Sequence, residues 1–249
     1  MSGHSKWSSI KHKKGAADAK RGKIFTRLVK EIIVSAREGG GDPGMNPRLR
    51  LAVSSAKSSN MPNSNIERAI KRGTGELEGV QYDNYMYEGY GQNGVAILVE
   101  TLTDNKQRTV AEVRHCFSKY GGAMAESGSV SWMFEHKGLI EISSKDKDED
   151  EVMMTALDAG ADDFIADDEV FRIYTGYSEL HSVMKNLEDI GYTIEKAELT
   201  QEPKNMINAN EVAGKLLKLL DQLEDLDDVQ KVYSNFEISD ETMEKLSQE

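Results

Sequence analysis

Apolar side chains recur with a helical period in the first long stretch of the chain. Ile24, Phe25, Leu28, Val29, Ile32, Ile33 and Ala36 share one side, which predicts a helix over about 16–38, stopped by Gly39-Gly40-Gly41-Asp42-Pro43. Lys20, Lys23, Arg27 and Lys30 recur on the opposite side, so this helix is expected to bury one face and offer a row of cations on the other. Two shorter helices follow. Pro47 sits in a first turn behind Asn46 as cap, with Leu49, Val53 and Ala56 as its stripe; Pro62 starts the next, Ile66, Ala69 and Ile70 face inward, and Gly73 ends it. Together they predict a small three-helix bundle, preceded by a polar, basic arm over residues 1–15 whose only large apolar side chains are Trp7 and Ile10.

After Gly73-Thr74-Gly75 the period changes. Strands are expected over 82–90 and 95–102, then a helix over 105–120 capped by Asp104 with Gln107 closing a capping box, then a strand over Ser129–Phe134. The next stretch reads as strand 139–143, helix 149–159, strands 162–166 and 169–175, helix 178–190 and strand 192–199, the βαββαβ order of the ferredoxin-like split motif. A linker over Gln201–Asn210 leads to helix 211–224 and strand 229–236. That last pair needs a sheet to join, and residues 82–134 supply one. The expected fold is therefore α/β (α+β): a helical domain (1–75) followed by two ferredoxin-like α+β domains, a middle one (76–134 with 206–239) and one over 135–205 inserted into it.

Charge changes the picture more than composition does. The chain of 249 residues has a formal net charge of −12 and a pI near 5.0. Residues 1–72 nevertheless hold 16 Lys/Arg against 5 Asp/Glu, while the remainder holds 15 against 38. Cations gathered at one end of an acidic protein point to a polyanion. The candidate phosphate contacts are Lys6, Lys11, His12, Lys13 and Lys14 with the stacking residue Trp7 in the arm, and Lys20, Arg21, Lys23, Arg27 and Lys30 on the helix. Arg48, Arg50, Lys57, Arg68, Lys71 and Arg72 add to the cationic surface of the bundle. No helix reads as a base-recognition element, so backbone or shape recognition is expected.

Other chemistries have simpler explanations. Gly89-Tyr90-Gly91-Gln92-Asn93-Gly94 satisfies the dinucleotide fingerprint, but an apolar, β-branched run follows it where a helix is needed, so a hairpin loop explains the glycines. His4, His12, His115, His136 and His181 show no metal spacing. Asp104, a conceivable acid, is accounted for as a cap, and the acidic runs read as solvated turns and helix ends. Tyr82, Tyr85, Tyr87 and Tyr90 read as strand packing in the absence of an RNP1 sequence. Cys116 is the sole cysteine, which excludes a disulfide within the chain. No apolar run approaches the roughly 20 residues that span a bilayer. These readings imply a non-enzymatic protein of the cytoplasm with no cofactor, no metal and no membrane contact.

Several motifs resemble those of the YebC/PmpR family. They are Met1-Ser2-Gly3-His4-Ser5-Lys6-Trp7-Ser8-Ser9-Ile10-Lys11-His12-Lys13-Lys14, Asn60-Met61-Pro62 with Asn65-Ile66-Glu67-Arg68-Ala69-Ile70, Tyr87-Glu88-Gly89-Tyr90-Gly91, Thr103-Asp104-Asn105 with Arg108-Thr109, and Gly128-Ser129-Val130-Ser131-Trp132-Met133-Phe134. Gln92-Asn93 and Ala123-Met124-Ala125 depart from the family's usual Pro-Gly and Asn-Leu-Gly. The resemblance implies a cytosolic, three-domain α/β protein that binds nucleic acid without catalysis. Members are described as DNA-binding transcriptional regulators; others, including a mitochondrial translational activator, as translation factors that bind the ribosome and ease synthesis of proline-rich stretches. DNA is thus the expected partner, and ribosomal RNA the alternative.

Overall fold

The computed structural model describes residues 17–167 and 169–248. It opens with the expected bundle: α1 (Ala17–Gly39), α2 (Pro47–Ser58) and α3 (Asn63–Gly73). Gly40, at φ +86°, ends α1 in a left-handed turn with its N–H on the Ala36 carbonyl (2.9 Å). The Asn46 carbonyl oxygen caps α2 by accepting from the Leu49 N–H (3.1 Å), while its amide donates to the Ser35 and Gly40 carbonyls (2.8 Å each). One side chain thereby starts the second helix and ties it to the end of the first. Ile32, Ile33, Ala36, Leu49, Ala52, Ala56, Ile66 and Ala69 form the bundle core.

Two antiparallel sheets follow. The first consists of β1 (Asp83–Tyr90), β2 (Ala96–Thr103), β3 (Ala123–Ala125) and β9 (Val229–Ser234) in the order β3-β1-β2-β9. Helices α4 (Lys106–Lys119) and α7 (Ala213–Glu224) cover one face, where Phe117, Leu216, Leu220 and Leu223 meet Ile97 and Val99. The second sheet consists of β4 (Phe134–Ser143), β5 (Asp163–Ala166), β6 (Val170–Gly176) and β7 (Lys196–Pro203) in the order β5-β6-β4-β7, the ferredoxin-like arrangement. Its helices are α5 (Glu149–Asp158) and α6 (Leu180–Ile190). Strand β9 pairs with β2 although the whole second sheet lies between them in sequence. A parallel pair of two-residue strands, β8 (Ile207–Asn208) with β10 (Phe236–Glu237), and a last helix α8 (Asp240–Gln248) complete the described chain; sequence periodicity did not reveal β3 or α8.

The two sheets join through charge. Lys231 on β9 reaches Glu198 on β7 (2.8 Å) and the Leu199 carbonyl (2.7 Å), and Lys196 adds a second cation on Glu198 (2.6 Å). Burial opposes ionisation of Glu198, but Lys231 and Lys196 outweigh it and hold its pKa at about 2.

Three local expectations are corrected. The cap of α4 is Asn105, whose side chain accepts from the Arg108 N–H (3.1 Å), not Asp104. The helix starts one residue later than expected, so Arg108 and not Gln107 stands at the third helical position and no capping box forms. Ser129–Phe134 is not a strand. The N–H groups of Gly128, Val130 and Ser131 turn onto the buried Glu88 carboxylate (2.7, 2.7 and 3.0 Å), and a 3₁₀ turn over Ser131–Met133 precedes β4. Residues 201–203, expected in a linker, extend β7. The glycine-rich 89–94 segment is a tight connection between β1 and β2, with Asn93 and Gly94 at positive φ.

At Gly89 an added Cβ would meet the Phe117 ring at 2.6 Å and the Ala123 carbonyl at 2.8 Å. Phe117 is fully buried and cannot retreat. Gly89→Ala is expected to destabilise by about 1–3 kcal/mol in chemical denaturation; an unchanged unfolding midpoint would show that the ring has room to move.

Candidate nucleic-acid interface

Helical spacing does place Lys23, Arg27 and Lys30 on one face of α1, but that face is not open. It docks against the end of α7 and the turn that follows. The Lys23 ammonium donates to the Asp225 carbonyl (2.9 Å) and carboxylate (3.3 Å), and the Arg27 guanidinium donates to the Glu224 carbonyl. Lys30 donates to the Asp227 carbonyl (3.0 Å), the Leu102 carbonyl (3.3 Å) and Asp228 Oδ1 (2.8 Å). A helix C-terminus leaves carbonyls without intrahelical partners and carries the negative end of the dipole, so an acidic turn there is a natural seat for cations. The expected open row is therefore a docking face over these three positions. Burial deepens along it: the Lys23 side chain is 43% exposed, that of Lys30 only 7%.

Asp228 is the centre of this contact. Its other oxygen, Oδ2, accepts from Arg108 (2.7 Å) and lies 3.0 and 2.8 Å from the hydroxyls of Thr103 and Thr109. Arg108 also bonds Asp104 (2.9 Å). The Thr103-Asp104-Asn105 and Arg108-Thr109 motif thus builds a polar hub linking α4 and β2 to the turn before β9, and Lys30 ties the bundle to it. Burial works against the Asp228 charge, yet the bonds from Lys30, Arg108 and Thr109 prevail and hold its pKa at about 2. Burial pulls the Arg27 guanidinium below its usual pKa, against the attraction of Glu224, Asp225 and Asp227.

Other bundle cations are engaged as well. Arg48 pairs with Glu31 (2.7 Å) and Glu38 (2.6 Å). Arg50 donates to the Pro43 and Gly44 carbonyls and to His181 Nε2 on α6. Burial and then the Arg50 charge keep that imidazole below its usual pKa. Lys57, Arg68, Lys71 and Arg72 are exposed and form no ion pair among the described residues. Lys20 and Arg21 lie in the described part of α1, but their side chains fall outside the description; Lys6, Trp7, Lys11, His12, Lys13 and Lys14 lie outside the described residues.

The tyrosines of β1 are occupied in packing. Tyr87 is buried, Tyr90 donates to the Ser129 carbonyl (3.0 Å), and Tyr85 carries the Lys106 ammonium over its ring. Glu88, whose partners no local sequence pattern signals, holds the loop before β4. Burial raises the cost of its charge, and the N–H groups of Gly128, Val130 and Ser131 outweigh that to keep its carboxyl below the ordinary range. The clamped loop presents Trp132, 62% exposed, with its indole N–H on the Ser129 carbonyl (2.9 Å). An open groove of about 590 Å³ lies between α4 and α7, lined in part by His115, Cys116 and Asp225. Burial raises the Cys116 thiol above its usual pKa, the opposite of an activated nucleophile. No group of three or more His, Cys, Asp or Glu side chains is placed to hold a metal among the described residues, and none of their helices is long and apolar enough to cross a membrane.

The arrangement defines a mixed helix-and-sheet protein whose basic helical bundle is fastened to acidic antiparallel-sheet layers. Residues 5–76 match the family model of the TACO1/YebC protein N-terminal domain, and residues 82–236 that of the TACO1/YebC second and third domain. The chain belongs to the TACO1/YebC family. It is 55% identical over 253 residues to a probable transcriptional regulatory protein of Halothermothrix orenii, covering all of both chains. It is 59% identical over 250 residues to a protein of the same description from Persephonella marina, covering 99% of this chain and 100% of that one. Among solved structures, a conserved hypothetical protein from Aquifex aeolicus superposes with a TM-score of 0.86 at 52% identity, over 93% of this chain and 96% of that one.

Removing one partner of a buried ion pair strands the other. Lys30→Met and Asp228→Asn are each expected to destabilise by about 3–5 kcal/mol, read from urea unfolding midpoints. The acid dependence has a definite sign. Asp228 has a folded pKa of about 2 against an ordinary 3.8, so its contribution is complete above about pH 5 and is lost as pH falls toward 2. From that shift, Asp228→Asn is expected to remove about 2 kcal/mol of the stability difference between pH 6 and low pH. A parallel acid profile for wild type and variant would refute the assignment.

Proposed function

We propose that this chain is a nucleic-acid-binding regulator without catalytic activity, acting in the cytoplasm, and that DNA is its partner. The observation that carries this reading is the charge segregation: 16 Lys/Arg against 5 Asp/Glu in residues 1–72 of a protein whose net charge is −12. Lysine and arginine neutralise phosphates and release condensed counterions, whereas the acidic remainder repels a polyanion, so a nucleic acid would meet the bundle and arm first. The names of the relatives favour transcription. We further propose residues 1–75 as the binding domain, 76–134 with 206–239 as the middle domain and 135–205 as its insertion. Lys6, Lys11, His12, Lys13 and Lys14 would contact phosphates, Trp7 would stack or wedge, and Lys20, Arg21 and the partly exposed Lys23 and Arg27 would extend the contact along α1. Lys30, 6% exposed, has no ammonium to offer and serves the docking instead.

A second reading shares this chemistry. A surface that grips backbone without reading bases suits ribosomal RNA as well as duplex DNA, and the exposed Trp132 gives a second, rigid contact for a large assembly. In that case the protein would be a ribosome-associated translation factor that eases synthesis of proline-rich stretches.

Gel shift of promoter DNA against a scrambled duplex of equal length, beside co-sedimentation with ribosomes at matched salt, separates the two. The DNA reading expects a shift that favours promoter sequence, with log K falling against log salt at a slope of about −4 to −5 for about six phosphates. Weak, sequence-indifferent DNA binding with firm ribosome sedimentation would overturn it in favour of the second reading.

A further inference from the structure

We infer that the outer face of α3, formed by Arg68, Lys71 and Arg72, is a phosphate-backbone contact surface for nucleic acid. This inference rests on the reading of the bundle as a nucleic-acid binder and adds an undocked face to the contact proposed along α1. The docking of α1 is the reason. Lys23, Arg27 and Lys30 already face the acceptors of residues 224–228, and Arg48 and Arg50 are tied within the bundle and to α6. The exposed, unpaired cations of the described bundle are those on α3 and at Lys57.

Helical geometry arranges them for this use. At about 100° per residue, Arg68, Lys71 and Arg72 fall in an arc of about 100° centred opposite Ile66, Ala69 and Ile70, which face the core. A helix that buries one narrow stripe thus presents the other side as cations, with Ser64 and Asn65 continuing that side toward the N-terminus and Glu67 at its rim. The helix dipole explains the basic residues in last turns, Lys71 and Arg72 on α3 and Lys57 on α2, but it does not explain Arg68 in the middle of α3. A solvated face needs no excess of one sign; a surface that tracks phosphates does. No carboxylate neutralises these four among the described residues.

The chemistry named is the phosphodiester backbone, and its source is settled by experiment. The full-length triple variant Arg68→Ala/Lys71→Ala/Arg72→Ala keeps good helix formers at exposed positions, so it should fold; its unfolding midpoint checks this. A control, Lys145→Ala/Lys215→Ala/Lys218→Ala, changes the net charge equally at exposed lysines outside the bundle. Affinity is measured by fluorescence anisotropy for a DNA duplex and an RNA duplex of equal length across a salt series. The α3 variant is expected to bind about tenfold more weakly, with its salt slope reduced by about 2–3, while the control stays within about twofold of wild type. A loss for only one duplex supports the surface and names its ligand. Equal binding by the α3 variant and wild type, or an equal loss in the control, overturns this inference and leaves the function proposed above standing. A wild type that binds neither duplex overturns both.

Discussion

Lys30 and Asp228 meet at 2.8 Å with almost no solvent around them, and the relation between the bundle and the first sheet depends on that pair. Either charge alone in this position would carry an uncompensated desolvation cost of several kcal/mol. Together they are made tolerable by the neighbours: Thr103, Thr109 and Arg108 fill the second carboxylate oxygen, while two backbone carbonyls take further ammonium protons. Such a pair contributes less to net stability than a well-packed apolar contact. Its effect is on geometry, because a charge pair with every hydrogen bond specified tolerates few alternative registers. It fixes where α1 lies, and with it which bundle surfaces remain open.

Much of the architecture could be read from residue order. Asn46-Pro47 announced a helix start by the chemistry of its cap, and Gly40 ended a helix by its accessible backbone. The βαββαβ order of periods is enough to indicate the ferredoxin-like sheet. The misreadings share a cause. Ser129–Phe134 has strand-like composition, yet its N–H groups are claimed by Glu88, some 40 residues earlier, and no local pattern carries that information. The cationic face of α1 was legible as a face; its destination was not, because the acceptors lie about 200 residues downstream. Periodicity tells which side chains stand together on a helix and is silent about what stands opposite. Arg68, Lys71 and Arg72 were equally visible, but only the docking of α1 singles them out from the other basic residues.

The same fact refines the charge asymmetry. Part of the positive bundle is neutralised by the negative layers within one molecule, so the opposition of the two halves is partly an intramolecular attraction. The Lys231–Glu198–Lys196 junction repeats the device between the two sheets. Charge is used here to assemble the molecule as well as to present it, and the potential available to a ligand is what remains after docking.

Much of the α1 docking is made by main-chain oxygens. Arg27 takes the Glu224 carbonyl, Lys23 the Asp225 carbonyl, and Lys30 those of Asp227 and Leu102. These acceptors belong to the peptide group and persist whatever side chains occupy those positions. The turn can therefore drift in sequence at 224, 225 and 227 while retaining its hold on the helix, so substitutions there would be poor reporters of the contact. Asp228 has no such latitude, since its side chain does what no backbone atom can. For anyone reading variation in this turn, one position of five would speak for the whole contact.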